Sequence, residues 1–245
     1  MSETYEAFAE RLLATGVFAD PWVDGRPRFG QQPLTIGRRQ QAQLYRAAEQ
    51  VAAVYDEACR LVDADDRLLE FFRLTAAQTV MWHAARPFWH ALARADVFVT
   101  DEGPVVCELN CDTPTGEPEA VLLGALVGGP GEDPNGELRG RWLAAVRLIG
   151  ARTLGDDWPD RPTVGLVYPT ELTEDLSVLR LYRRWLEEDG HVVVLGSPQN
   201  LTFDEASGEV SLFEQRCHLV LRHYKTDWWG EPSTTTWPSS SSQRR

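Results

Sequence analysis

Between residues 164 and 221 the sequence sets short apolar runs around one amphipathic segment, and that order leaves few folds open. Val164 to Tyr168 reads as an apolar strand, Thr173 to Glu188 as a helix, Val192 to Leu195 as a second strand, and Leu219 to Leu221 as a last buried strand. Strands without polar alternation belong in a sheet covered on both faces, and a helix between two of them is the connection that parallel neighbours need. This part of the chain therefore reads as a small α/β domain with a largely parallel sheet. Thr173 suits a helix N-cap and Gly190 a helix stop. Leu201 to Phe203 and Glu209 to Phe213 flank Asp204–Glu205–Ala206–Ser207–Gly208 and read as a hairpin.

A second pattern lies upstream, from Arg94 to Asn110. Its centre, Asp101–Glu102–Gly103, suits a three-residue hairpin loop with glycine in the left-handed position. Thr100 then pairs with Pro104, Phe98 with Val106, Asp96 with Glu108 and Arg94 with Asn110. Side chains alternate across a strand, so Arg94, Asp96, Glu108 and Asn110 share one face. Val97, Val99, Val105, Cys107 and Leu109 share the other, which is expected in the core. Directly opposed residues have Cβ atoms about 5 Å apart. Two carboxylates at that separation repel by about 1 kcal/mol in water and about 3 kcal/mol at an effective dielectric of 20. A divalent cation would remove the repulsion. Two carboxylates and an amide oxygen are hard ligands that suit Mg²⁺ better than zinc or copper. The competing interpretation is a solvated surface face on which Arg94 neutralises Asp96 and Glu108.

The rest of the chain is mostly helical. Residues 1 to 35 carry scattered Pro, Gly and aromatic residues and read as an irregular arm. Gln40 to Val62 has an apolar stripe at three- and four-residue steps, and a second helical stretch runs from about Asp66 to Leu92, broken or kinked at Pro87. Glu117 to Leu126 reads as a short helix, Gly128 to Gly136 as a loop, and Leu138 to Leu154 as a helix. Residues 233 to 245 are a low-complexity tail.

Composition narrows the function classes. A net charge of −13 disfavours nucleic acid and anionic membranes as partners. The polar start, Met1 to Glu10, does not read as a signal peptide, and four cysteines in 245 residues are no disulfide framework, so a cytoplasmic location is expected. Cys107 and Cys111 have the spacing of half a zinc site, but no second Cys/His pair completes it. The five histidines show no metal-like pairing.

After Asn110 the chain continues Cys111-Asp112-Thr113-Pro114-Thr115. The run from Glu108 to Thr115 resembles the Glu-x-Asn-x-Asp-Thr-Pro-Thr block of glutathionylspermidine synthases, and Arg94-x-Asp96 resembles that family's upstream Arg-x-Asp. Val164 to Leu181, with Glu171, Glu174 and Asp175, looks like the opening of the family's pre-ATP-grasp domain. Tyr224-Lys225-Thr226-Asp227-Trp228-Trp229 looks like the aromatic block that ends it. Leu109 and Cys111 depart from the family's aromatic and alanine, Gly116 from a serine, and Gly230 from a glutamate.

The resemblance implies an α/β fold with an incomplete ATP-grasp half, a helical subdomain and a small pre-ATP-grasp (Rossmann-like) domain. The implied boundaries are 1–157, 158–232 and the 233–245 tail. It implies an ATP-dependent carboxylate–amine ligase that forms an amide through an acyl phosphate. Its cofactors would be ATP and Mg²⁺, and its substrates a small peptide carboxylate and an amine. By the same resemblance Asp96, Glu108 and Asn110 are metal ligands, and Arg94 stabilises the transferring phosphoryl group. Arg94 and Asp96 also face the nucleotide. Thr113, Glu174 and Thr226 contact the peptide substrate. Each has an ordinary alternative: Thr113 as a turn residue before Pro114, Glu174 as a first-turn acid, Thr226 as a loop hydroxyl. The family's nucleotide-gripping lysines come well after the aromatic block. A second chain carrying them, or a non-catalytic binding module, are therefore further expectations.

Overall fold

The computed structural model describes residues 3–86, 91–128, 133–170 and 175–230. Helix α1 (Tyr5–Ala14) is followed by the two-residue strands β1 (Trp22–Val23) and β2 (Arg26–Pro27). Helices α2 (Arg38–Ala64), α3 (Asp66–Phe71) and α4 (Ala76–Ala84) lead to a hairpin, β3 (Arg94–Thr100) and β4 (Gly103–Asn110). A wide π-type turn over Glu119–Leu123 runs into α5 (Gly124–Val127), and α6 (Leu138–Leu154) comes next. The order is then β5 (Thr163–Val167), α7 (Leu176–Glu188), β6 (Val192–Gly196), β7 (Leu201–Asp204), β8 (Glu209–Leu212), β9 (Gln215–Cys217) and β10 (Leu219–Arg222). A 3-10 turn covers Thr226–Gly230. These elements gather into two compact units. The first holds Met1–Thr35 and Thr115–Arg222, the second Ile36–Pro114 and His223–Arg245.

The first unit is built on a parallel sheet in the order β10-β5-β6. Every residue of β5 is buried, as a central strand covered on both faces requires. Helix α7 crosses over between β5 and β6. It turns Val178, Leu179, Leu181, Tyr182, Trp185 and Leu186 inward at helical spacing. Each such side chain contributes roughly 1.5–3 kcal/mol on burial. Trp142 of α6 stacks on Tyr182, with ring centroids 4.5 Å apart. On the sheet sits an antiparallel meander, β7-β8-β9, whose third strand the sequence reading did not anticipate. It comes close because Gly196 has no side chain: a Cβ there would lie 2.9 Å from Phe213 Cε2.

The N-terminal segment is not an irregular arm. Thr4 accepts from the Ala7 N–H and starts α1, which buries Phe8, Ala9 and Leu12. Phe8, Leu12 and Phe18 form a small core with Phe29, Leu122, Leu123 and Leu126 against it. The short helix expected over Glu117 to Leu126 begins instead as the π-type turn. It ends at Gly128, with φ +64°. Helix α7 starts at Leu176. Thr173, expected as its cap, lies outside the described residues.

In the second unit the expected stretch from Asp66 to Leu92 is two short helices. Arg73 turns the chain with φ +51°, and a Thr75–Gln78 capping box opens α4. Pro87 lies outside the described residues. Helix α2 runs along the hairpin, with clefts of about 350 and 410 Å³ between them. Its one buried residue is Val62.

Candidate functional site

The hairpin turn is tighter than its sequence suggested. Thr100 pairs with Gly103, so only Asp101 and Glu102 lie in the turn. Gly103 itself joins the ladder, with φ +128°, and accepts from the Thr100 hydroxyl at 2.7 Å. Pro104 therefore stands opposite Val99, not Thr100, and Phe98 opposite Val105, not Val106. A β-bulge at Cys107 then puts back the displaced residue: Val106 faces Val97 and Glu108 faces Asp96. The two one-residue shifts cancel. Asp96 lies opposite Glu108 and Arg94 opposite Asn110, as the alternation predicts.

The apolar side is corrected as well. Val105 is not a core residue: it is 52% exposed beside Phe98, which is 63% exposed. Cys107 is exposed on the bulge and Val99 is 58% exposed. Val106 takes the place expected for Val105 and lines a cleft with Val51 and Val54 of α2.

On the polar face, Arg94 Nε donates to Asp96 Oδ1 at 2.9 Å and Asn110 Nδ2 donates to Glu108 Oε1 at 2.9 Å. Both are same-strand, alternate-residue bonds. They place Arg94 with Asp96 and Asn110 with Glu108, while the ladder sets the two pairs side by side. Each bond occupies one oxygen of its carboxylate. The other two carboxylate oxygens and the Asn110 amide oxygen make a hard donor set, so the residues fit a Mg²⁺ ion in kind. The face is open to solvent: the Arg94 and Asp96 side chains are 43% and 41% exposed. Among the described residues, no group of three or more His, Cys, Asp or Glu side chains could hold a metal.

Just past β4, Asp112 takes a role that sequence reasoning missed. Its carboxylate accepts from both the N–H and the hydroxyl of Thr226, each at 2.8 Å. Thr226 is thus tied to the strand that carries Glu108 and Asn110. The partners are 114 positions apart, and no local pattern signals such a link. Asp227, next to Thr226, accepts from Gln78 Nε2 at 2.9 Å. Lys225 places its ammonium 5.0 Å from the centre of the Trp228 ring. Thr113 is half-buried in the bend that follows Asp112. Glu174 lies outside the described residues.

Two thiols sit near this end of β4. Burial raises the pKa of Cys59, and the Asp56 carboxylate and the Cys111 thiol add to the rise. Burial and the Asp112 carboxylate raise that of Cys111.

No family model matches the chain, and no curated protein matches it. A solved structure does: the apo form of a glutathione synthetase-like effector, GSS30, from Globodera pallida. The TM-score is 0.54 at 12% identity, over 91% of this chain. The fold is glutathione synthetase-like. It is an α/β, ATP-grasp-related fold, and at this identity the likeness concerns fold alone. The chain spans 58% of the length of that glutathione synthetase-like effector. Among the described residues, no helix is long and apolar enough to cross a membrane.

Proposed function

We propose that this chain carries the metal-binding face of an ATP-dependent carboxylate–amine ligase of the glutathionylspermidine synthase type. Asp96, Glu108 and Asn110 would hold Mg²⁺, which when bound would offset charge on the nucleotide phosphates. Arg94 would meet the transferring phosphoryl group with its planar set of donors. Thr113, and Glu174 with it, would contact the carboxylate substrate, a small peptide. Thr226 enters through its bond to Asp112, which sets the end of β4. The amine substrate would attack the acyl phosphate.

One observation carries this reading: Asp96 and Glu108 are directly opposed, with Arg94 and Asn110 beside them on the same face. The glutathione synthetase-like fold agrees with it. The test is calorimetric titration of Mg²⁺ into the chain and into Asp96→Asn and Glu108→Gln. Each variant is expected to lower the affinity by tenfold or more. Equal binding by all three proteins would remove the metal assignment.

A second reading has its own support. The solved relative is described as an effector, and this chain spans 58% of it. A binding module that keeps a peptide site without turning over ATP, or a subunit completed by a second chain, would share this fold. ADP release in the presence of Mg·ATP, glutathione and spermidine separates a ligase from a module.

A further inference from the structure

Helix α2 and strand β4 run side by side in the same direction. Gln43 lines a cleft with Gly103 and Pro104, and Val51 and Val54 line the next with Val106. From Pro104 to Cys111 the strand, less the bulged residue, rises about 20 Å. Helix α2 covers that distance in about 13 residues, which reaches from Gln43–Ala47 to Asp56–Arg60. Cys59 lies in that turn, three residues before the buried Val62. Cys59 and Cys111 are both half-buried, and the Cys59 thiol senses the charge of Cys111. Cys107, by contrast, is exposed on the bulge.

We propose that Cys59 and Cys111 are an oxidative modification site, a dithiol that closes into an intramolecular disulfide and ties α2 to the residue between Asn110 and Asp112. The proposal stands on the packing of α2 against β4 and does not depend on the ligase reading. With hydrogen peroxide as oxidant, one thiol gives up its proton to the leaving hydroxide as its sulfur attacks the other peroxide oxygen. The O–O bond breaks, and a sulfenic acid and water form. The second thiol attacks the sulfenic sulfur, the S–S bond forms, and a second water leaves. Two electrons pass from the sulfurs to the peroxide. Once closed, the bond fixes the end of β4 that carries Asp112 and its link to Thr226.

The test uses the full chain with Cys107→Ser, which removes the exposed thiol. The chain is treated with hydrogen peroxide, alkylated and digested with trypsin. Cleavage at arginine places Cys59 in peptide 47–60 and Cys111 in peptide 95–139. The expected product is a monomer in which these peptides are joined, and dithiothreitol releases them. Cys59→Ser and Cys111→Ser abolish it. Recovery of both peptides alkylated separately, or carrying sulfinic acid without a link, would overturn the proposal. So would a link found only between two copies, rising with protein concentration.

Discussion

Thr226 donates twice to Asp112: its N–H and its hydroxyl each reach a carboxylate oxygen at 2.8 Å. This fork joins segments 114 positions apart, so it resists separation of the Thr226 turn from the end of β4. Hydrogen bonds to a charged group contribute roughly 1.5–3 kcal/mol, less where water can compete. Asp112 is exposed, so Asp112→Ala is expected to cost about 1–2 kcal/mol. Thr226→Val, which keeps the N–H bond, should cost about half as much. Hydrogen exchange of residues 223–230 reads this directly. Protection should fall in Asp112→Ala and fall less in Thr226→Val, and an unchanged pattern would show that Gln78–Asp227 alone holds the turn.

Asp96 and Glu108 make an opposite pair of expectations. Without a cation their repulsion is relieved by Glu108→Gln, so that variant should match or slightly exceed the wild type in stability, by up to about 1 kcal/mol. With Mg²⁺ at about a hundred times its Kd, the wild type should gain about 2.7 kcal/mol and Glu108→Gln much less. Melting temperatures of both proteins with Mg²⁺ and with EDTA check this. A wild-type melting temperature that ignores Mg²⁺ would leave only the solvated-face interpretation.

What the sequence revealed here depends on how local each determinant is. The Asp96–Glu108 opposition was legible because strand alternation carries it, even though the turn and the bulge were both missed. Their shifts cancel: Gly103 joins the ladder at one end and Cys107 leaves it at the other. The faces of Val105 and Val106 were not legible, since a bulge inverts the alternation between itself and the turn. The β5–α7–β6 unit was legible because uninterrupted apolar strands admit little else. Helix α1 was obscured by the Pro and Gly residues that follow it, although Thr4 and the Phe8–Leu12 spacing mark its start and its inner face. The Asp112–Thr226 link belongs to tertiary structure alone.

His191 predicts how stability depends on pH. It is 5% exposed, and burial lowers its pKa below the ordinary value of 6.5. The Asp189 carboxylate, 3.4 Å from Nδ1, and the Leu186 carbonyl oppose that shift, while Arg147 adds to it. Burial wins. Between the lowered pKa and 6.5 the unfolded chain binds more protons than the folded one, so stability falls as pH drops through that window and is level above it. Urea midpoints at pH 5 and pH 7.5 test this against His191→Leu. The variant should lose less stability on acidification than the wild type, and equal losses would mean that carboxylates alone set the acid limb.

Gly150 sets two effects against each other. It is a buried residue inside α6, where alanine would ordinarily be favoured by about 1 kcal/mol. A Cβ at this position, however, would overlap three ring carbons of Trp158. Trp158 also borders His191, with ring centroids 6.4 Å apart, so the indole cannot shift freely. Overpacking of this kind costs about 1–3 kcal/mol, enough to outweigh the helix preference. Gly150→Ala is therefore expected to destabilise the chain by about 1–2 kcal/mol. In a Trp158→Ala background the obstacle is gone, and the same substitution should become neutral or stabilising. A double-mutant cycle in urea reads the change of sign. If Gly150→Ala costs the same in both backgrounds, the indole is not what keeps this position a glycine.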